Sequence, residues 1–177
     1  MARTVPSAAT VVPGQYVSGA LWNANVQALS SFITGPPVFS GYQATSQSIA
    51  NATFTSLTID TTIVDSDGGH SNTTNPSRYT ATVPGTYLVI GTVGWSGTAN
   101  GYRRIRLMLN GNPIIGTAVG SDAVNAVLSG QCTSTIVAMN GTTDYVEVQG
   151  GQSSGGALAT YVSSDFSCSL RVYWLSR

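Results

Sequence analysis

The sequence predicts an all-β chain with one helix at its start: a β-sandwich or jelly roll of about ten strands in two antiparallel sheets, behind a short N-terminal arm. Three observations carry this expectation. From Val38 onward, apolar residues recur with a period of two, the spacing of a pleated strand. The runs are separated by "DSDGGHSNTTNP", "GTANG", "MNGTTD" and "GGQSSGG", clusters of the residues that favour turns. Strands do not alternate with helical patterns, and no repeat returns at a fixed period, which excludes βαβ and solenoid architectures.

Residues 1–17 hold Pro6, Pro13 and Gly14 among small residues, the composition of an extended arm without its own core. Ser18 is a candidate N-cap. Behind it, Trp22, Val26, Leu29 and Ile33 recur at helical spacing, with Leu21 and Phe32 beside them, so one apolar stripe is expected. Gly35 offers a stop and Pro36-Pro37 forbids continuation. A helix of about 16 residues spans about 24 Å and is marginal alone in water. It therefore needs a surface: the β-domain, a copy of itself, or another protein. The chain divides into an arm and anchoring helix, residues 1–37, and a β-knob, residues 38–177.

Within the knob, "TYLVIGTVGW" places Tyr87, Val89, Val93 and Trp95 on one face and Leu88, Ile90 and Thr92 on the other. Two fairly apolar faces mark a central strand. "YRRIRLMLNGNPII" points Ile105, Leu107 and Leu109 one way and Arg104, Arg106 and Met108 the other. Its Asn110-Gly111 pair is a hairpin signal. "DYVEVQ" turns Val146 and Val148 inward. "DFSCSLRVYWL" sets Phe166, Cys168, Leu170, Val172 and Trp174 on the core face.

The composition excludes several functions. Charged residues make up 8% of the 177 residues, and net charge is zero, so no basic surface is expected for nucleic acid. The wet surface must rest on Ser, Thr, Asn and Gln, or be covered by partners. No apolar run approaches a membrane span, and the first residues lack the apolar core of a secretory signal. Cys132 and Cys168 are too few for a disulfide framework or a zinc set. Two buried free thiols are the expected state, with a single bridge as the alternative.

The catalytic inventory is thin. His70, the one histidine, lies in a polar loop and reads as solvated; no nucleophile elbow, metalloprotease helix or phosphate loop accompanies it. Asp60, Asp65, Asp67, Asp122, Asp144, Glu147 and Asp165 qualify as paired carboxylates by type only. Asp65 and Asp67, at alternate positions in "DSDGG", resemble the start of a calcium loop, but the downstream bidentate glutamate is missing; a tight turn is the plainer account. No enzyme and no cofactor are expected. Arg104 and Arg106 share a strand face and could pair with carboxylates across a subunit boundary or simply lie in solvent. The candidate subunit interface is Arg104, Arg106, Tyr87 and Trp95.

From Asp65–Gly69, through Tyr79-Thr80-Ala81, Pro84-Gly85 and Tyr87-Leu88-Val89, to "LMLNGNPI", "DYVEVQG" and "SSDFSCSLRVYWL", the chain resembles the globular head of complement C1q and the related tumour-necrosis-factor jelly roll. One departure is "SCSL", where that family often has glycine after Phe-Ser. The resemblance implies a ten-strand, two-sheet jelly roll that assembles as a trimer. Separately, Gly14, Val17, Ser18, Leu21, Asn23, Pro36 and Pro37 are similar to the start of many tailed-phage virion proteins.

Together these imply a structural surface protein of a tailed phage. It would be a trimeric knob anchored by its arm and by Leu21, Trp22, Val26, Leu29, Phe32 and Ile33. Capsid decoration, head fibre, minor capsid protein and minor tail protein all fit. The implied partners are copies of itself and other virion proteins, and the implied location is the virion surface after synthesis in the bacterial cytoplasm. The alternative is a receptor- or carbohydrate-binding knob for host attachment, read through loops such as "GTANG" and "GGQSSGG".

Overall fold

A computed structural model describes residues 3–8, 10, 12–98, 100–124 and 127–177. A helical segment comes first, in three consecutive pieces: α1 (Gly19–Trp22), a π-helical turn (Asn23–Gln27) and α2 (Ala28–Thr34). The strands follow as β1 (Val38–Tyr42), β2 (Ser48–Ile49), β3 (Thr53–Ser56), β4 (Thr61–Asp65), β5 (Arg78–Thr80), β6 (Gly85–Trp95) and β7 (Tyr102–Leu109). After these come β8 (Asn112–Pro113), β9 (Val119–Asp122), β10 (Ser129–Met139), β11 (Tyr145–Gln152), β12 (Leu158–Ala159) and β13 (Ser169–Ser176).

Two antiparallel five-stranded sheets face each other. The first runs β10-β6-β13-β1-β4; the second runs β5-β11-β7-β8, with β9 also on β7. A small ribbon joins β12 to β2. The core lies between the sheets and is built from Phe39, Tyr87, Val89, Trp95, Ile105, Leu107, Val146, Val148, Leu170 and Val172, all fully buried. This is the predicted sandwich, with the short strands β2, β3, β5, β8, β9 and β12 beside the long ones.

The central-strand reading of "TYLVIGTVGW" holds: β6 is bonded to β10 on one side and β13 on the other. Asn110 and Gly111 both take positive φ, 51° and 77°, the pair of values that a two-residue hairpin turn needs. Leu109 consequently pairs with Asn112. The Asn110 side chain secures the turn by accepting from the Tyr145 amide and donating to Asp144.

Strand β10 was not legible from the hydrophobic pattern, because two of its inward positions are polar. Gln131 is buried because its Oε1 accepts from Trp95 Nε1 at 2.8 Å, and Thr133 because its hydroxyl donates to the Thr117 carbonyl at 2.7 Å. Phe166 corrects another expectation. It lies in the turn before β13 and is exposed, while Cys168, Leu170 and Val172 do face the core. Both cysteines are free thiols, but only Cys168 is buried; burial pushes its thiol up to about 11. Cys132 is exposed on the outer side of β10.

The helix begins as predicted, with Ser18 Oγ accepting from the Leu21 amide at 3.2 Å. It ends at Thr34, but Gly35 has φ −137°, so the stop does not use the left-handed freedom of glycine. Proline follows instead, and Thr34 Oγ1 turns back to the Ser30 carbonyl at 2.9 Å. Below the main core, Phe32, Val5 and Val83 form a satellite cluster against Trp174. Phe32 meets the Trp174 ring edge-on, with centroids 4.9 Å apart. Arg3 clamps the same point: it pairs with Asp67 at 2.6 Å, donates to the Gly35 carbonyl, and lies 5.6 Å above the Phe32 ring.

Candidate functional site

The helix presents its apolar residues in two directions. Phe32, 5% exposed, holds the helix to the knob by packing on Trp174, while Leu21 is half-buried. The expected stripe faces away: Trp22 is 55% exposed, Val26 43%, Leu29 39% and Ile33 62%. The six predicted anchor residues thus split into a small internal contact and a larger open one. The π-helical turn falls inside this stripe, where Asn25 Nδ2 donates to the Leu21 carbonyl at 2.9 Å.

A second open apolar surface lies on the outer face of the β6 sheet. The registers place Ile136 opposite Leu88, Leu88 opposite Tyr173, and Tyr173 opposite Val38. Adjacent side chains on one sheet face touch, so these four form a continuous row across β10, β6, β13 and β1. Ile136 is 62% exposed and Tyr173 is also exposed. Beyond the row, a groove of about 660 Å³ is lined by Tyr42, Thr92, Cys132, Asp165 and Arg171, among others.

Two members of the predicted subunit interface do not reach any surface. Tyr87 and Trp95 are fully buried in the protomer's own core. The Tyr87 hydroxyl donates to the Val83 carbonyl, and burial raises it to about 12. Trp95 is tied to Gln131. They point inward because β6 turns its alternate residues to the opposite sheet; the outward partners are Leu88 and Ile90.

Arg104 and Arg106 do lie on an outer face, that of the second sheet. Neither pairs with a carboxylate among the described residues. Arg104 sits 4.0 Å above the Tyr102 ring and Arg106 3.9 Å above the Phe54 ring. Arg106 Nε also donates to Gln149 Oε1 at 2.8 Å, and partial burial draws its guanidinium below the ordinary value. Around them opens a cleft of about 670 Å³. Arg103, which the strand pattern turns inward, is buried, and its guanidinium donates to the Asn100, Tyr102 and Thr98 carbonyls.

Five of the carboxylates are engaged within the protein. Asp60 accepts from the Ala44 and Thr45 amides. Burial alone would raise it, but these bonds and those of the Thr45 and Thr61 hydroxyls outweigh burial and hold it below the usual range. Asp65 accepts from the Gly69 and His70 amides, and Asp67 from Arg3. The two therefore meet donors rather than a common cation, which favours the tight-turn account. Glu147 accepts from Ser77 and Arg78, and Asp144 from Asn110 and Asn140. His70 is not solvated as expected: its ring spans the Arg78 and Ile59 carbonyls at 2.7 and 2.9 Å and lies beside Phe39. Among the described residues, no three His, Cys, Asp or Glu side chains gather as a metal site, and no helix is long and apolar enough to cross a membrane.

The two loops expected to read a ligand brace each other. The Tyr102 amide donates to Ser153 Oγ, and the Ser153 amide to the Tyr102 carbonyl. Ala99, within "GTANG", lies outside the described residues.

No family model matches the chain, and no curated protein matches it in sequence. Solved structures match its shape. The globular domain of zebrafish complement 1qA superposes with a TM-score of 0.56 at 13% identity, covering 80% of this chain and 98% of that one. Murine APRIL gives 0.57 at 11% identity, covering 78% and 98%. PRD1 vertex protein P5 gives 0.53 at 17% identity, covering 79% and 97%. The fold is a C1q/TNF-like jelly roll.

Proposed function

We propose that this chain is a structural surface protein of a tailed-phage particle, a homotrimer of jelly-roll knobs attached through the N-terminal arm and helix. One observation carries the reading: the stripe of Trp22, Val26, Leu29 and Ile33 is exposed in the protomer while Phe32 alone is buried. An exposed stripe on so short a helix needs a partner to hold it. Three copies bundled under a trimeric knob, or one virion partner per helix, would supply it. The row Ile136, Leu88, Tyr173 and Val38 supports self-association of the knob, as does the trimeric habit of the C1q/TNF-like fold. The likeness in fold to a phage vertex protein supports the virion setting. The role is structural rather than enzymatic, in keeping with Asp60, Asp65, Asp67, Asp144 and Glu147, which each accept hydrogen bonds from neighbouring segments. Synthesis in the host cytoplasm and display on the particle surface follow from this reading.

The test is incorporation. Trp22→Ala combined with Leu29→Ala should leave the knob folded, yet lower its copy number in purified particles several-fold. Normal incorporation of the double variant would show that the helix is not the anchor. A second reading, attachment to a host-surface glycan, is favoured by one observation, the arginine-bearing cleft on the second sheet.

A further inference from the structure

We infer that the cleft around Arg104 and Arg106 binds an acidic saccharide, a sugar chain bearing carboxylates. This deepens the attachment reading and rests on it. Arg104 and Arg106 are two residues apart on β7, so they emerge on one face about 7 Å from each other. Each is held over an aromatic ring, Tyr102 and Phe54, which fixes the guanidinium before any ligand arrives. Apart from the Arg106 Nε bond to Gln149, their donors meet no acceptor among the described residues. In a chain with so few charges, two adjacent guanidiniums that form no ion pair among the described residues can take an anion from outside.

The floor is cleared for one. The cross-strand neighbours of Arg104 are Gly120 on β9 and Gly151 on β11. A Cβ on Gly120 would come within 3.1 Å of Arg104 Cγ, and one on Gly151 within 2.9 Å of the Phe54 ring. Side chains there would fill the cleft or displace the ring under Arg106. The remaining lining points to a sugar acid rather than a bare anion. Pro113, Ile114 and Val119 offer an apolar wall, and Ser121 and Asp122 stand beside the arginines. A simple anion gains nothing from the wall and has no hydroxyl donor to offer Asp122. A sugar acid offers hydroxyl donors to Asp122, C–H surface to the wall and a carboxylate to the guanidiniums. The volume, about 670 Å³, suits a short oligosaccharide.

The experiment is calorimetric titration of the full chain with a linear galacturonate trimer. The neutral galactose trimer and inorganic phosphate serve as controls at equal ionic strength. Saturable binding of the uronate is expected, with little for either control. Arg104→Gln should weaken it about ten- to a hundredfold, the loss of one charge-assisted contact. Gly120→Val keeps both charges and should weaken it comparably with an unchanged melting temperature. Equal binding of the neutral trimer, phosphate binding as tight as the uronate, or wild-type affinity in both variants would each overturn the assignment. So would a change of oligomeric mass in Arg104→Gln, which would show that the arginine holds a neighbouring subunit. Host-cell adsorption by the same variants separates the two readings. Lost uronate binding with normal adsorption leaves the site intact and removes the attachment role.

Discussion

At the residue scale, the buried polar contacts decide where each side chain can act. Trp95 illustrates this. Its size and strand position suit a subunit interface, but its indole N–H is satisfied by Gln131 inside the protomer. Trp95→Phe should therefore destabilise the folded chain by about 1–3 kcal/mol, because Gln131 Oε1 is left buried without a donor. Urea unfolding would measure this, and the oligomeric mass should not change. A changed mass with unchanged protomer stability would return Trp95 to an interface. Asp60 gives a pH signature. Its folded carboxyl lies below the ordinary value, so its contribution is complete above the unfolded pKa of about 3.9 and is lost as pH falls through the folded value. Asp60→Asn should be less stable than the parent at neutral pH, and the gap should close in acid. A gap that persists unchanged at low pH would contradict the assignment. The arginine cleft was half legible: alternation on β7 places Arg104 and Arg106 together, but Phe54 comes from a distant segment that the period-two reading does not connect to them.

At the scale of elements, strands with large apolar residues at every second position were legible, and β6, β7, β11 and β13 follow their patterns. β10 was not, since its inward Gln131 and Thr133 are buried by specific hydrogen bonds rather than by apolarity. The helix was legible in extent and in its cap. Its orientation was not, because spacing alone does not say which side of an apolar face meets the knob. Phe32 and the stripe therefore make separate predictions. Phe32→Ala should loosen the helix, seen as faster amide exchange over residues 19–34, while the sandwich core keeps its protection. The stripe variant, Trp22→Ala with Leu29→Ala, removes exposed side chains, so protomer stability should change by less than about 1 kcal/mol. If amide exchange across the sandwich rises together with that of the helix in Phe32→Ala, helix and knob form one cooperative unit and the helix is no separable docking element.

At the scale of the whole molecule, two exposed apolar surfaces and a low charge are what the proposed assembly would cover. The jelly roll was legible through turn spacing and through the order of its matched segments. The assembly was not, since no feature of a single chain marks which outer sheet face is wet. In the proposed trimer, the outward row Ile136, Leu88, Tyr173 and Val38 is the face that a neighbouring copy would cover. Placing aspartate at Ile136 should disrupt association without touching the core, because that side chain is outside the protomer. The most direct test of the central claim is native mass spectrometry of the full chain beside its Ile136→Asp variant. A species of three times the 18.3 kDa chain mass, falling to one chain mass in the variant, is the predicted result. A parent chain that remains at one chain mass, at concentrations well above those in an assembling particle, would contradict it.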